Sequence, residues 1–565
     1  MQRTGLQRTG RRRALLTLAA GTLAMSMFAP AAPAGAIVVP AAHAVPHVTA
    51  TATTPSKQHQ IKVLTKVLNF MQQNYTKFAN ETPGPQDIVD YQLGKLWKQG
   101  IDGAGTTIAV IEGWDFPGIR KEVARFDSQF GLPNPQIQTI FPDGPLPAKC
   151  PAGMVKLQSY GSCQAWQGEL ALDVISVHLI APYAKIIISA TPADSEINSD
   201  AAEQVAMPEL MKAVEYISAN HLANAMSISD GTGESTYPFG QEELTAQNAG
   251  ELSAAAAGIP LIVATGDCGV VQNLAVANAQ CEHVSSGPDT AAWDDSPWVT
   301  AVGGSVPNIS STGKKLGPDP IWHVAGILSE GAGYSAVYQR PSYQDGVAGI
   351  TGSPMRSVPD ITMDSQDGTS ESAPVFAGVM ALATQLNRGQ NLGPINPALY
   401  GIVGPNGTAD GIADVIKGNN SEVVHGKVVV PGFKAAKGFD VATGWGTINA
   451  STFVPSLVAA TKTEHEETAA RRQASQQLRQ IETSIQLSPT TIGSGQTAYL
   501  QDQGFLPTYP VGLYIDGQPI TTLTASTSGY VTYVLNPQKL GLTAGQHTLQ
   551  LRSMLFTSSV TFSSS

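Results

Sequence analysis

Between residues 80 and 457, short β-branched runs alternate with helical segments, and this alternation restricts the possible folds more than any other feature. Four runs are predicted strands: Thr107–Ile111, Lys185–Ala190, Ala223–Ser229 and Pro260–Thr265. Three segments are predicted helices: Gly168–Ile180, Pro208–Asn220 and Ser372–Leu386. Such alternation is typical of an α/β fold, with a mostly parallel sheet flanked by helices.

The 565-residue chain is too long for one core, and its composition changes after this region. Residues 460–483 are polar and charged without an apolar stripe, which predicts a solvated helical linker. Residues 484–565 show an alternating pattern with turn signals at Asp516-Gly517 and Ser528-Gly529. We therefore expect a small immunoglobulin-like β-sandwich after the linker.

The first 36 residues have the layout of a secretory signal peptide. A basic start that includes Arg11–Arg13 precedes an apolar run from Ala14 to Phe28, and small residues follow. Cleavage after Ala36 or Ala44 fits this pattern, and both the general and the twin-arginine export routes remain open. Residues 37–80 then form a short N-terminal segment. We expect a secreted, extracellular protein, with cell-wall association as an alternative, and no membrane segment in the mature chain.

Charge and cysteine content agree with export. The net charge of −11 becomes about −16 without the signal, which carries five arginines and no acid, and an acidic surface argues against nucleic-acid binding. We expect a monomer.

The four cysteines predict two disulfide bonds. Pairing of neighbours in the sequence, Cys150–Cys163 and Cys268–Cys281, closes two short loops, each contributing about 3 kcal/mol of stability in an oxidising compartment. Other connectivities remain possible, whereas a zinc site is disfavoured because no CxxC motif accompanies the cysteines.

Three predicted strands end on an acidic residue: Glu112, Asp230 and Asp267 follow them directly or after one glycine. In an open α/β sheet, ligands bind beyond the carboxyl ends of the strands. Each acid alone is equally well explained as a helix cap or a turn residue. Together they indicate an acid-rich cleft at one edge of the sheet.

The predicted helix Gly168–Ile180 is apolar nearly all round and should be buried, yet Glu169 and Asp173 lie on one of its faces at i and i+4. A like-charge pair at this spacing is destabilising, and no Lys or Arg lies between Lys156 and Lys185 to offset it. A favourable position near the helix N-terminus explains one carboxylate but not two. Coupled buried carboxylates have split pKa values, as general bases require.

Ser370 follows Gly368-Thr369 at the turn into a predicted helix, where free backbone N–H groups point outward. Most such serines are simple N-caps. A nucleophile needs a base, and none of the ten histidines lies in a His-Gly-Thr/Ser setting. The Glu169/Asp173 pair is therefore the candidate base.

Several motifs, in this order along the chain, resemble the sedolisin family of serine-carboxyl peptidases. They are the Glu169-x-x-x-Asp173 helix, Ala264–Gly269 and the Gly-Thr-Ser-x-Ser-x-Pro-x-x-Ala-Gly run over 368–378, supported by Gly105–Glu112, Phe130–Pro133, Ser296–Gly304, Gly331–Gln344 and Val358–Asp360. The resemblance implies a subtilisin-like peptidase domain over 81–459. It also implies that Ser370 is the nucleophile, Glu169 its general base and Asp173 the residue that orients Glu169. Asp267 would be a protonated acid that donates a hydrogen bond to the oxyanion.

The same resemblance implies one bound calcium ion. Its ligands would be the carboxylates of Asp414 and Asp440 and the carbonyl oxygens of Val415, Ala436 and Gly438, an all-oxygen set that suits Ca²⁺. Ala436 stands where the family commonly has glycine. This is a mild departure, since only its carbonyl is needed.

Two departures bear on function. Asp230 stands where family members often carry tryptophan, and only about 45 residues separate the signal from the peptidase domain, where the family has a large prosegment. We expect a calcium-stabilised peptidase acting on proteins or peptides at about pH 3–5, with endopeptidase and tripeptidyl-peptidase action both open. The alternatives are a catalytically impaired binding or surface protein and an ordinary subtilisin with a remote histidine.

Overall fold

Seven parallel strands form the central sheet. In chain order they are β1 (Thr107–Glu112), β2 (Gln136–Ile140), β3 (Lys185–Ala190), β4 (Ala225–Ile228), β5 (Leu261–Ala264), β6 (Thr300–Ser305) and β7 (Ile361–Asp364). Their order in the sheet is β7-β6-β5-β4-β1-β3-β2, and every neighbouring pair is parallel. All four strands predicted from the sequence are present, which confirms the predicted α/β class.

The inner strands of this sheet are buried on both faces, as is typical of parallel sheets, whereas the edge strand β2 alternates between exposed and buried residues. On β1, Ile108 and Val110 pack into one apolar cluster, while Ala109 and Ile111 pack into another on the opposite face. Alternate residues of a strand point to opposite faces, so one strand supplies both clusters. This explains why the strands read as continuous apolar runs rather than as alternating ones.

The computed structural model describes residues 55–147, 149, 163–191, 200–237, 239–272, 281, 284–324, 328–424, 427–463 and 465–565. The predicted signal over 1–36 therefore lies outside the described residues. The α-helices are Lys57–Gln73, Tyr75–Phe78, Pro85–Asp90, Leu93–Trp97, Ile119–Phe130, Cys163–Ile180, Asp200–Ala219, Gln241–Ala257, Ala348–Thr351, Thr369–Leu386, Asn396–Ala398, Gly404–Asn406, Ala450–Thr463 and His465–Glu482. Among the helices of the described ranges, none is long and apolar enough to cross a membrane.

Short elements complete this part of the chain. The 3₁₀ turns are Glu234–Thr236, Ser342–Val347 and Gly407–Asp410, and one π-helical turn spans Leu399–Val403. Four antiparallel strand pairs lie outside the main sheet: His323–Val324 with Leu328–Ser329, Gly333–Gln339 with Met355–Val358, Ile412–Ala413 with Thr447–Ile448, and Glu422–Val424 with Lys427–Val430.

The C-terminal part folds into two further sheets. One consists of Gln486–Ser488, Ala498–Asp502 and Val531–Leu535, and the other of Thr491–Ile492, Thr557–Ser564, Gly545–Arg552, Pro510–Ile515 and Gln518–Thr524. Leu500 of the first sheet and Leu513 and Leu549 of the second are fully buried in the same apolar cluster. Strands that alternate between buried and exposed residues fit the predicted β-sandwich.

The segment predicted as a solvated linker is helical, but the prediction that it lacks an apolar face is wrong. Ala474 of helix His465–Glu482 is fully buried against Leu252 and Ala255 of helix Gln241–Ala257, and Leu478 packs beside them. The apolar positions are sparse and partly alanine, so the pattern is weak in the sequence. One side of this helix therefore packs against the α/β part instead of standing in solvent.

One predicted disulfide is confirmed, and the other lies partly outside the described residues. Cys268 is bonded to Cys281, with their Cα atoms 5.4 Å apart. Cys163 is also disulfide-bonded, while its predicted partner Cys150 is not among the described residues. The Cys268–Cys281 bond directly follows Asp267 and so restrains the loop that carries this residue.

Several buried carboxyl groups predict that the protein is more stable in acid than at neutral pH. Burial raises the pKa of Glu251 to about 8 and that of Glu243 to about 7. These groups bind protons more tightly in the folded chain than in the unfolded one, so their stabilisation is complete below the unfolded pKa and is lost as pH rises through the folded pKa. We expect a higher melting temperature near pH 4.5 than near pH 8.

Thermal unfolding of a Glu251→Gln variant checks this explanation. Because the amide does not ionise, the difference in melting temperature between the two pH values should shrink, whereas it should be unchanged in Glu242→Gln, which alters an exposed residue of the same helix. A melting temperature that rises steadily from pH 4.5 to pH 8 in the unaltered chain would contradict the prediction.

Candidate active site

Ser370 lies in the first turn of helix Thr369–Leu386, directly after a glycine turn. Gly368 has φ +97°, a conformation that residues with side chains rarely adopt, and a Cβ at this position would lie 2.7 Å from Asp267 Oδ2. The glycine therefore allows the turn before Ser370 to approach the Asp267 carboxyl closely. The predicted position of the serine at the start of a helix is confirmed, although the helix begins at Thr369 rather than Ser372.

Asp267 lies beyond the end of β5 and contacts the same turn. Its Oδ1 accepts hydrogen bonds from the Thr369 backbone N–H and from Thr369 Oγ1, both at 2.8 Å. Its Oδ2 is the oxygen that faces Gly368. With Oδ1 accepting from Thr369, Oδ2 is the Asp267 oxygen that lies nearest the turn preceding Ser370.

Glu169 and Asp173 lie on helix Cys163–Ile180, which begins earlier than the predicted Gly168. Glu169 is therefore in the second turn, where the helix dipole has little effect, so proximity to the N-terminus does not explain it. Asp173 is fully buried, as predicted, whereas Glu169 is partly exposed. The expectation that both carboxyls are buried thus holds for Asp173 and only in part for Glu169, whose Oε1 atom is nevertheless buried.

The Glu169 carboxyl interacts with the Ser370 hydroxyl. Burial, then the charges of Asp173, Asp267 and Asp230, raise the pKa of Glu169 well above its ordinary value, while the hydrogen bond with Ser370 lowers it. The Ser370 hydroxyl also donates to the Ser229 backbone carbonyl, at 3.4 Å. The Ser370 hydroxyl therefore has two partners. One is the Ser229 carbonyl, to which it forms a long hydrogen bond, and the other is the Glu169 carboxyl, which can accept its proton.

Behind Glu169, a second pair of carboxyls is fully buried. Asp173 Oδ2 accepts a hydrogen bond from Ser229 Oγ at 2.9 Å, and the Asp173 carboxyl interacts with that of Glu112 at the end of β1. Burial raises the pKa of Asp173 to about 7, although its hydrogen bonds with Glu112 and Ser229 act in the opposite direction. Burial and then Asp173 raise the pKa of Glu112 well above its usual range. These opposite effects favour Glu112 as the member of the pair that holds a proton and donates a hydrogen bond to Asp173.

Asp230 follows Ser229 at the end of β4, so the acids predicted to converge do so at one edge of the sheet. Its Oδ1 accepts the backbone N–H of Gly231 at 2.8 Å, and the residue is partly exposed. Burial raises the pKa of Asp230 to about 6. Its charge acts on both Glu112 and Glu169.

Ser229 was not identified from the sequence as a functional residue. Besides its bond to Asp173, its Oγ lies 3.2 Å from the Ser370 carbonyl oxygen, and its backbone N–H donates to Glu112 Oε1 at 3.3 Å. This one residue therefore contacts the nucleophile, Asp173 and Glu112. Its position at the end of a strand, one residue before Asp230, is the signal that points to it.

A second acidic group lies behind the turn that carries Ser370. Asp87, Asp364 and Glu371 are fully buried, and each offers a carboxylate oxygen within 4.8 Å of the others. Burial raises the pKa of Asp364 well above its ordinary value, and the charges of Glu371 and Asp87 raise it further. The sequence offered one signal for this group, since Asp364 ends β7 as Glu112 ends β1.

The residues predicted to bind calcium lie together in two facing loops. Asp414 Oδ2 accepts the Gly438 backbone N–H at 2.8 Å, and Asp440 Oδ2 accepts that of Ala436 at 2.6 Å. Asp414 Oδ1 is buried and lacks a hydrogen-bond partner among the described residues. A buried carboxylate oxygen that accepts no hydrogen bond from the described residues is a ligand that a hard cation such as Ca²⁺ prefers. The residues present therefore fit the ion.

No family model matches the chain. Among curated proteins, it is similar to kumamolisin from Bacillus sp. (strain MN-32), with 26% identity over 384 residues, 64% of this chain and 61% of that protein. It is also similar to human (Homo sapiens) tripeptidyl-peptidase 1, with 30% identity over 241 residues, 37% of this chain and 38% of that protein. The chain thus matches less than two thirds of the length of either relative.

A solved structure shares the fold. Pseudomonas sedolisin, a serine-carboxyl proteinase complexed with two molecules of pseudo-iodotyrostatin, superposes with a TM-score of 0.53 and 23% identity, covering 66% of this chain and 97% of that one. The sequence motifs, the two relatives and this fold agree with one another. The chain is therefore similar to the sedolisin family of serine-carboxyl peptidases, as its motifs predict.

Proposed function

We propose that the protein is a secreted serine-carboxyl peptidase that hydrolyses peptide bonds of proteins or peptides at acidic pH. The observation that carries this proposal is the placement of Ser370 between two carboxyls, with Glu169 on its hydroxyl and Asp267 on the adjoining turn. One carboxyl can accept the proton of the nucleophile while the other donates to the developing oxyanion.

In the first half of the reaction, Ser370 Oγ attacks the carbonyl carbon of the scissile bond, and Glu169 takes the hydroxyl proton. Protonated Asp267 donates a hydrogen bond to the oxygen of the tetrahedral intermediate. Glu169 then gives its proton to the leaving amine, and the C–N bond breaks. An acyl group remains on Ser370 as an ester.

In the second half, water replaces the amine. Glu169 accepts a proton from the water as its oxygen attacks the ester carbonyl, and Asp267 again stabilises the oxyanion. The proton returns to Ser370 Oγ as the acid product leaves. Asp173, held by Ser229 and by the proton of Glu112, keeps the Glu169 carboxyl oriented and shares its charge.

The binding-protein alternative predicts a different response to an active-site reagent. A peptide aldehyde should form a hemiacetal with Ser370 and protect the chain against thermal unfolding. Protection that disappears in Ser370→Ala supports the peptidase. An unchanged melting temperature in a folded chain supports the catalytically impaired protein instead.

Product mapping distinguishes the two kinds of cleavage. A free tripeptide released from an unblocked N-terminus indicates tripeptidyl-peptidase action, and internal cuts in an acetylated peptide indicate endopeptidase action. Secretion, proposed from residues 1–36, is tested by sequencing the N-terminus of the chain recovered from the medium. A mature N-terminus before residue 37 would contradict the signal assignment.

We further propose that one calcium ion binds Asp414, Asp440 and the carbonyl oxygens of Val415, Ala436 and Gly438. Bound there, the ion would supply positive charge that links the two loops. Chelation at neutral pH should lower the melting temperature by several degrees, since a ligand that binds only the folded state stabilises it.

Asp414→Asn should lower calcium affinity and remove most of this response to the chelator. Asp410→Asn, a substitution outside the proposed site, should respond as the unaltered chain does. Equal melting temperatures with and without chelator in the unaltered chain would contradict the calcium proposal.

A further inference from the structure

We propose that Asp230 is the anionic part of a substrate subsite that binds a positively charged group, an ammonium or a guanidinium, close to the scissile bond. This inference rests on the proposed peptidase function and adds a specificity to it. It follows from three features of the structure: the position of Asp230, the way its carboxyl is held, and the charge of its surroundings.

The position of Asp230 places it beside the nucleophile. β4 ends at Ile228, and the carbonyl of Ser229 accepts the hydroxyl of Ser370. Asp230 is the next residue along the chain. A substrate whose carbonyl carbon reaches Ser370 Oγ therefore lies next to the segment that carries this carboxyl.

The Asp230 carboxyl is oriented and open on one side. The Gly231 N–H fixes Oδ1, while Oδ2 accepts no hydrogen bond from the described residues. The residue is partly exposed, in contrast to the fully buried Glu112 and Asp173. Asp230 is thus a residue that affects Glu169 through its charge and is also exposed enough for a substrate to contact it.

The surroundings lack positive charge. Among the described residues, no Lys or Arg forms an ion pair with Glu112, Glu169, Asp173 or Asp230. Burial and mutual repulsion raise the pKa values of the first two well above their ordinary range. A cationic group on the substrate would offset the negative charge of these carboxyls, whereas a neutral substrate side chain would not. Binding of a cationic group is therefore favoured at this site.

Two substrate groups carry this chemistry: the side chain of lysine or arginine, and the free α-ammonium of a peptide. Matched quenched-fluorescence peptides separate them. One series replaces each residue near the cleaved bond by lysine or by norleucine, which has a similar length without the charge. A second series compares free and acetylated N-termini of the same peptide.

For the unaltered chain assayed near pH 6, where a carboxyl with the pKa of Asp230, about 6, is substantially ionised, we expect kcat/KM for the charged member of one pair to exceed that of its neutral partner by about tenfold. Asp230→Asn should abolish this ratio while cleavage of the neutral peptide continues. Asp345→Asn, which removes an exposed carboxylate of a different loop, should leave the ratio unchanged.

The outcomes separate this inference from the proposed function. Cleavage that depends on Ser370, with the same charged-to-neutral ratio in the unaltered chain and in Asp230→Asn, overturns the subsite and leaves the peptidase standing. Cleavage that persists in Ser370→Ala, or no cleavage of any peptide, overturns both. If Asp230→Asn abolishes the preference for lysine over norleucine, the subsite binds a side chain. If it abolishes the preference for a free over an acetylated N-terminus, the subsite binds the α-ammonium group.

Discussion

Ser370→Ala is expected to reduce kcat/KM for peptide hydrolysis by about 10⁴-fold or more, the scale seen when a serine nucleophile is removed. The variant lacks the hydroxyl that interacts with the Glu169 carboxyl, so no acyl intermediate forms. The fold should be unaffected, because the alanine fits the first turn of the helix. Initial rates with a quenched peptide, at matched protein concentrations and with circular dichroism as a check on folding, measure the effect.

Ser372→Ala serves as the matched control. Ser372 lies on the same helix, but its hydroxyl donates to the Asp364 carbonyl at 2.9 Å and its environment is fully buried. Its loss should lower stability and leave most of the activity. If Ser370→Ala retains activity comparable to that of Ser372→Ala, Ser370 is not the nucleophile.

Asp267→Ala is expected to lower kcat by about 10²- to 10³-fold, as removal of one oxyanion donor does. Asp267→Asn should lose much less, because the amide oxygen can accept from Thr369 while its nitrogen donates in place of the protonated Oδ2. The two variants separate the donor role from simple space filling. A measured kcat for each, at several pH values, gives the comparison.

The pH dependence of Asp267→Asn tests the donor role of Asp267 more specifically than the loss of kcat does. Under the proposed mechanism, the activity of the unaltered chain should fall at higher pH, because Asp267 would lose the proton that it donates to the oxyanion. An amide does not ionise in this range, so the decline should move to higher pH in Asp267→Asn. Equal losses in the alanine and asparagine variants, with unchanged pH profiles, would contradict the donor role.

The main features of the fold could be predicted from the sequence because its strands are short, apolar and bounded by turn residues. β3 was predicted with its exact limits, and β1 to within one residue. The linker helix was predicted, but its packing was not. Ala474 and Leu478 make a contact only because helix Gln241–Ala257 presents a complementary surface, and a single sequence does not show which distant surface lies opposite.

The site shows the same limit. Glu169, Asp173 and Ser370 were found because an uncompensated carboxyl pair and a glycine turn are unusual locally. The pairing of Glu112 with Asp173 depends on the neighbouring positions of β1 and β4 in the sheet, together with the helix that packs on them. The cluster of Asp87, Asp364 and Glu371 joins residues more than 270 positions apart. Such contacts follow from topology, which local patterns do not encode.

The most direct test of the central claim is the pH–rate profile of the purified chain with a quenched peptide, measured in parallel with Ser370→Ala. We predict a maximum below about pH 6, where Asp267 keeps the proton that it donates to the oxyanion, a decline at neutral pH, and no activity above background in the variant. An optimum above pH 8, or the same profile in Ser370→Ala, would contradict a serine-carboxyl mechanism.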